Sequence, residues 1–273
     1  MANLQRNVYL ISDSTGITLE KLTHSLLSQF PQVDFTILTH RYIDSKSKVE
    51  ALRDQIRLTS LQDPLKPLVF TSLLNESHRR LLTVSGIYYF DVFDLFMDKL
   101  DQALDLTPIP VAGLSHGVAD EHQYESRMEA INFSLRSDDG MHTEQYTKAD
   151  VIIIGVSRTG KTPTCLYLAM NYGILAANYP FTEDDWKKSA IPEVITHFKN
   201  KCFGLTIDAN QLARIRSKRL AGSDYASLEQ CRRELGYAET LFAEHNIPYL
   251  DTSTTSIEEL ATSIISKKEL LKI

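Results

Sequence analysis

Along the first hundred residues, short apolar runs alternate with longer stretches whose apolar positions recur every three or four residues. The runs read as strands and the longer stretches as helices. Strands are expected over 8–11, 35–38, 67–74 and 87–90, and helices over 19–30, 45–61, 77–84 and 93–104. Repeated strand–helix order implies parallel strands with right-handed crossovers and helices on both faces. The pattern breaks over 105–148, where Pro108, Pro110, Gly113, Gly117 and an Asp138-Asp139-Gly140 turn surround one helix, 123–135. This stretch reads as the connection between domains, either lining the active site or serving as a plain linker. A second strand–helix series starts at Ala149, with strands over 151–154, 175–178, 203–207 and 249–250. Its helices are expected over 162–172, around 184–198, through a long polar region 211–244, and from Ile257 onward. Ser256 with Glu259 three residues on is a capping box for the last helix.

One segment of that second series carries chemistry. Gly155-Val156-Ser157-Arg158-Thr159-Gly160-Lys161-Thr162 follows the apolar strand 151–154 and opens a helix. Gly-x-x-x-x-Gly-Lys-Thr is a phosphate-binding loop. Its glycines let backbone N–H groups turn inward around a polyphosphate. Lys161 brings a mobile positive charge to the terminal phosphoryl group, and Thr162 offers a hydroxyl to a magnesium ion. The helix behind them aims its free N–H groups and partial positive charge at the same anion. Pro163 is tolerated in a first turn, and Gly173 ends the helix. The chain is therefore expected to be an α/β protein: an N-terminal parallel-sheet domain over 1–105, a connection over 106–148 and a P-loop kinase-like domain over 149–273.

Bulk properties narrow the functional classes. A formal net charge of −6 argues against a general nucleic-acid binder, while leaving room for a local basic pocket. No apolar run approaches the roughly 20 residues needed to cross a bilayer, and Met1 to Arg6 leads into a strand without a signal-peptide core. Three widely spaced cysteines, Cys165, Cys202 and Cys231, suit free thiols in a reducing cytoplasm. The eight histidines show no zinc-site spacing.

Other candidates stand beside a bland reading. Arg158 is either a second cation at the phosphates or an outward side chain. The turn Ser12-Asp13-Ser14-Thr15-Gly16 lies at the carboxyl end of the first strand, where open α/β sheets bind ligands; it is equally a helix-capping turn. Phosphorylating a hydroxyl needs a group to guide its proton, and Asp13, Asp138, Asp139 and His116 are candidates. Asp138-Asp139-Gly140 is also at home as a solvated turn; Asp208, at the end of the apolar strand 203–207, is either a magnesium-supporting carboxylate or a helix cap. If Asp138 and Asp139 are buried, a metal or a phosphate-bound arginine must be near, and Arg127 or Arg136 could supply it.

Around the phosphate loop, Gly155 to Ala169 resembles the bifunctional regulatory kinase/phosphorylases that act on phosphoenolpyruvate synthase or on pyruvate, phosphate dikinase. Further blocks agree in order: Tyr9-Leu-Ile-Ser-Asp-Ser-Thr-Gly16, Arg127-Met-Glu-Ala-Ile-Asn-Phe133 and Ala177-Asn-Tyr-Pro180, then Gly204-Leu-Thr-Ile207 and Ser256-Ile-Glu-Glu-Leu-Ala261. Tyr225-Ala-Ser-Leu-Glu-Gln-Cys-Arg232 is most similar to the branch whose partner is phosphoenolpyruvate synthase. The resemblance implies a protein serine/threonine kinase that uses ADP to phosphorylate a threonine of its target. It also implies a reverse reaction in which inorganic phosphate removes that phosphoryl group and pyrophosphate is released. Lys161, Asp13 and Asp139 are then expected to be catalytic, with residues 155–162 holding ADP and Thr162 holding magnesium. The expectation includes a shared cleft between Asp13 and the phosphate loop, a homodimer, phosphoenolpyruvate synthase as partner and a cytoplasmic location. The rival readings are the same activity on pyruvate, phosphate dikinase, a small-molecule P-loop kinase, and a non-catalytic nucleotide sensor.

Overall fold

The computed structural model describes residues 4–63, 65–107, 121–188 and 191–270. Pro108, Pro110, Gly113, His116 and Gly117 lie outside the described residues. The chain divides into two compact units, Met1–Gly117 and Val118–Ile273. Both are α/β, each built on a four-stranded, all-parallel sheet.

In the first unit the strands β1 (Leu4–Ser12), β2 (Val33–His40), β3 (Leu68–Ser72) and β4 (Tyr88–Asp91) lie in the order β2-β1-β3-β4. The helices α1 (Ile17–Leu27), α2 (Lys46–Gln62), α3 (Glu76–Leu82) and α4 (Asp94–Leu104) alternate with them. Side-chain alternation along β1 splits its apolar run between two cores. Tyr9 and Ile11 pack with Val49, Leu52 and Ile56 of α2. Val8 and Leu10 pack with Leu19 and Leu27 of α1. A strand covered on both faces has to be apolar at consecutive positions, which is why the sequence shows a run there and no alternation.

The second unit begins with α5 (Glu121–Arg136), which packs on α6 (Lys161–Tyr172). The described part of the 106–148 connection from 121 onward therefore belongs to this unit. Its strands β5 (Val151–Gly155), β6 (Ala176–Pro180), β7 (Cys202–Thr206) and β8 (Tyr249–Asp251) follow the order β6-β5-β7-β8. The chain steps outward from β5 to β6, then returns to the other side of β5 with β7. The crevice outside the carboxyl ends of β5 and β7 is thus the topological switch point, where such sheets bind ligands. Ile152 and Ile154 face Leu235 and Phe242 of α10 (Leu228–Glu244), and Val151 and Ile153 face α6 and α11 (Ile257–Lys268).

Two of the expected helical regions each hold two helices. The region 184–198 holds α7 (Glu183–Lys188) and a short α8 (Glu193–Thr196), with Pro192 at the entry to α8. The region 211–244 holds α9 (Ala209–Ser217) and α10. Gly222 takes a left-handed conformation between them, and the Ser227 side chain accepts from Gln230 N to start α10. Polar helical composition continues through that break, so periodicity alone missed it. The capping box at Ser256 and Glu259 forms as expected.

Candidate phosphate-binding site

Strand β5 is wholly buried, and the chain leaves it at Gly155. A Cβ there would sit 2.5 Å from the backbone oxygen of Leu205, so the neighbouring strand permits only glycine. Residues 156–160 then loop to Gly160, left-handed at φ 90°, which places Lys161 at the start of α6. No acidic residue of α6 itself occupies its first turn. Arg158 is also left-handed, at φ 77°.

A 350 Å³ cavity opens over this loop, lined by Asp139, Ser157, Arg158, Gly160, Lys161 and Thr162, with Ile215 and Arg219 at its margin. Lys161 is only 5% exposed, and its Nζ donates to the Val156 carbonyl at 2.9 Å. Burial pulls its pKa down to about 8, against the pull of Asp139 and other neighbours that favour the charged form. The charge is thus held at the floor of the cavity at a desolvation cost, and an anion would relieve that cost.

Thr162 Oγ1 donates to Asp138 Oδ1 at 2.8 Å, and the Asn178 amide donates to the same oxygen. With its proton committed to Asp138, the Thr162 hydroxyl keeps lone pairs for a cation. Asn178 Oδ1 in turn accepts from Asp139 N at 3.0 Å, which fixes the left-handed Asp139 in the turn 138–140. Asp139 is exposed and lines the cavity, whereas half-buried Asp138 makes the direct contact with the loop helix. Asn178 sits on β6, immediately beside β5, and so the adjacent strand positions the turn.

Behind the loop lies a buried ion pair. Arg216 of α9 is fully buried and reaches both carboxylate oxygens of Glu234 on α10, at 3.0 and 2.5 Å. The same guanidinium donates to Ser157 O at 3.1 Å and to Tyr225 O at 3.0 Å, and lies 4.2 Å from the Tyr225 ring centre. The Tyr225 hydroxyl meets Ser157 Oγ at 3.0 Å. Because a trans peptide sets C=O and the next N–H in opposite directions, holding the Ser157 carbonyl turns the Arg158 N–H away from Arg216. Sequence reading missed Arg216 and Glu234, which stand 18 residues apart on separate helices. Tyr225 and Asn178 lay within the quoted blocks, with no signal of what they would do.

The remaining candidates are placed as follows. Asp13 lies in the first unit at the end of β1, where its Oδ2 accepts from Leu74 N at 2.8 Å and ties that turn to the segment after β3. Gly16 is left-handed at the start of α1, without a side-chain cap from the turn. Asp208 caps α9 by accepting from Gln211 N at 2.9 Å. All three cysteines are free and buried. Among the described residues no cluster of three His, Cys, Asp or Glu side chains could hold a metal, and no helix is long and apolar enough to cross a membrane.

Residues 8–265 match the model of the kinase/pyrophosphorylase family. This chain belongs to that family. Three relatives are similar over nearly their whole length, and each carries the provisional name phosphoenolpyruvate synthase regulatory protein. The one from Alkalilimnicola ehrlichii is 46% identical over 99% of this chain and 98% of its own. The one from Legionella pneumophila strain Corby is 45% identical over 96% and 97%, and the one from Alcanivorax borkumensis 43% over 98% of both.

The buried lysine gives this family member a testable pH dependence. A lysine whose folded pKa lies below its unfolded value of 10.5 opposes folding while charged. That opposition is complete below about 8 and fades as pH rises towards 10.5. Binding a polyphosphate favours the charged form. Affinity for a polyphosphate is therefore expected to fall above pH 8, by up to about tenfold per pH unit, with proton uptake on binding. Calorimetry in buffers of different ionisation enthalpy reads that uptake directly. Affinity flat from pH 7 to 10 would show that Lys161 does not meet the phosphates.

Proposed function

We propose that the chain transfers a phosphoryl group from ADP to a threonine of phosphoenolpyruvate synthase, and that it removes the group again by phosphorolysis. In the first direction the threonine oxygen bonds to the β-phosphorus, the bond to the AMP oxygen breaks, and the hydroxyl proton passes to a carboxylate. In the second, an oxygen of inorganic phosphate bonds to the phosphorus of the phosphothreonine, the bond to the threonine oxygen breaks, and that oxygen takes the proton of the attacking hydrogen phosphate by way of the carboxylate, so that pyrophosphate and the free hydroxyl are formed. One anion cradle serves both, because free phosphate occupies the position of a nucleotide's phosphate.

The observation that carries this reading is the cavity floored by buried Lys161 and walled by Thr162 and Asp139. Phosphoryl transfer relies on positioning and on charge stabilisation, and a desolvated cation fixed at the carboxyl end of a strand suits both. Two further supports are the family's description, which couples a kinase with a pyrophosphorylase, and the relatives' shared name.

Magnesium fits the oxygen donors present. The ion prefers one or two carboxylates or hydroxyls together with substrate phosphates. Thr162 Oγ1 and Asp138 would hold it, and it would neutralise charge on the phosphates. Asp139, exposed in the cavity, would take the threonine proton. Asp13 is proposed as a second positioning carboxylate on the strength of the resemblance in Tyr9 to Gly16.

Donor choice is the sharpest test. With ADP, the phosphoryl group next to Lys161 is the one transferred. An added phosphate would displace the reacting group by several ångströms, which positioning catalysis does not tolerate. Labelled ADP should phosphorylate purified phosphoenolpyruvate synthase at least 100-fold faster than ADP-free ATP. Equal rates would overturn the assignment of donor, and no transfer from either would overturn the proposed reaction.

A further inference from the structure

Beside the phosphate cavity lies a second one of 240 Å³, at the carboxyl ends of β7 and β8. Arg158, Gly160, Pro163 and Ile215 line both, so the two spaces share one wall. Its size falls below the roughly 300–1,000 Å³ of clefts that enclose a whole ligand, so it suits a single ring system. Ile207, Ile215, Ile257 and Leu260 supply apolar surface.

The polar groups around it are asymmetric. Four threonines line it, and each hydroxyl proton is already committed to a backbone carbonyl. Thr159 donates to Val156 O at 3.0 Å and Thr164 to Gly160 O at 2.8 Å. Thr252 donates to Thr206 O at 3.1 Å and Thr255 to Asp251 O at 2.9 Å. They therefore present methyl groups and lone pairs. Gln211 is held through its Nε2, which donates to Ser253 O at 3.3 Å, leaving the carboxamide oxygen as an acceptor. Arg158, the cation among these lining residues, stands on the wall shared with the phosphates.

We propose that this second cavity receives the adenine ring of the nucleotide whose phosphates occupy residues 155–162. The inference rests on the phosphate-binding reading and adds the determinant of base identity. A flat apolar ring fits between the isoleucine side chains and the threonine methyls. Its exocyclic amine is a donor, and it meets Gln211 Oε1 in a wall that otherwise supplies acceptors. Guanine carries a carbonyl at the equivalent ring position, which would face those acceptors unpaired. Arg158 lies where a guanidinium can cover a ring face while its charge serves the phosphates.

Calorimetry on the full chain separates the two parts of the nucleotide, with ADP, GDP and inorganic pyrophosphate as probes in magnesium buffer. Thr255→Phe fills the cavity, and Gln211→Leu removes the acceptor from a partly exposed side chain, losing with it one long hydrogen bond to Ser253 O. Wild-type protein should bind ADP at least tenfold more tightly than GDP. Both variants should lose at least tenfold in ADP affinity and keep pyrophosphate affinity within twofold. Unchanged ADP binding in folded variants would overturn the base site while leaving the phosphate loop intact. Parallel loss of ADP and pyrophosphate, with melting temperature unchanged, would also overturn it, because the cavity would then not be a separate subsite. Equal wild-type affinity for ADP and GDP would overturn the choice of adenine. Wild-type protein that binds neither ADP nor pyrophosphate would instead remove the phosphate-binding reading, and the base site with it. If Thr255→Phe does not fold, Gln211→Leu alone decides.

Discussion

Lys161→Ala is expected to reduce phosphoryl transfer by a factor of 100 to 1,000 or more while the protein remains folded. Removing one preorganised electrostatic contact from a reacting centre costs roughly 3–4 kcal/mol of barrier, and each 1.36 kcal/mol is about tenfold in rate. The fold should tolerate the change. Lys161 is charged at neutral pH in a site where burial disfavours charge, so its loss removes a destabilising group as well as one hydrogen bond to Val156 O. The two effects oppose each other, and the melting temperature should move by only a few degrees. Quench-flow transfer assays beside thermal melts make the comparison. A folded variant that transfers at the wild-type rate would remove the phosphate-loop assignment.

The second large effect is expected at Arg216. Arg216→Met leaves the Glu234 carboxylate buried without its partner, which costs roughly 3–5 kcal/mol. Since ~1 kcal/mol moves the melting temperature of a unit this size by about 2–4 °C, a fall of roughly 10 °C should be seen. The carbonyls of Ser157 and Tyr225 lose their donor in the same step. Arg216→Met combined with Glu234→Leu removes the uncompensated charge, and apolar replacements of buried ion pairs are often neutral or stabilising. Stability should therefore return in the double variant, whereas nucleotide affinity should stay at least tenfold below wild type, because the Ser157 carbonyl is still unheld. Recovery of both would mean that the ion pair serves only the packing of α9 against α10. Recovery of stability alone would assign Arg216 to positioning the loop.

These two residues differ in how far the sequence exposes them. Lys161 is legible because strand, loop and helix are contiguous, and the loop's function depends on local spacing. The glycines, the lysine and the threonine must follow one another for the backbone to turn around an anion. Arg216 has no such signature. Its partners Ser157, Tyr225 and Glu234 come from a loop, a turn and a second helix, and they meet only when α9 and α10 pack over β5 and β7. In composition Arg216 looks like any cation on a polar helix.

The acidic pair marks the boundary between the two kinds of knowledge. Sequence alone brought Asp138 and Asp139 forward together and could not divide their parts. The turn at 138–140 does so, by setting Asp138 against Thr162 and Asn178 and leaving Asp139 exposed in the cavity. A one-residue step in a tight turn reverses which side chain faces the helix, and no periodicity reports it.

The sequence by itself determined that the chain is α/β, where nearly all its strands lie, and that 155–162 form a phosphate-loop pattern. Each of these depends on contacts close in the chain: apolar runs for doubly covered strands, caps for helices, glycines for a sharp turn. Tertiary structure alone decided that the helical region 211–244 breaks at 218–227. It also decided that Asn178 reads the acidic turn, that Arg216 holds the loop, and that a cavity lined by four threonines lies beside it. Those features join residues of distant segments across the carboxyl ends of parallel strands. In a parallel sheet each crossover separates spatial neighbours by a whole helix and its loops, so the partners that complete the site leave no local trace in the sequence.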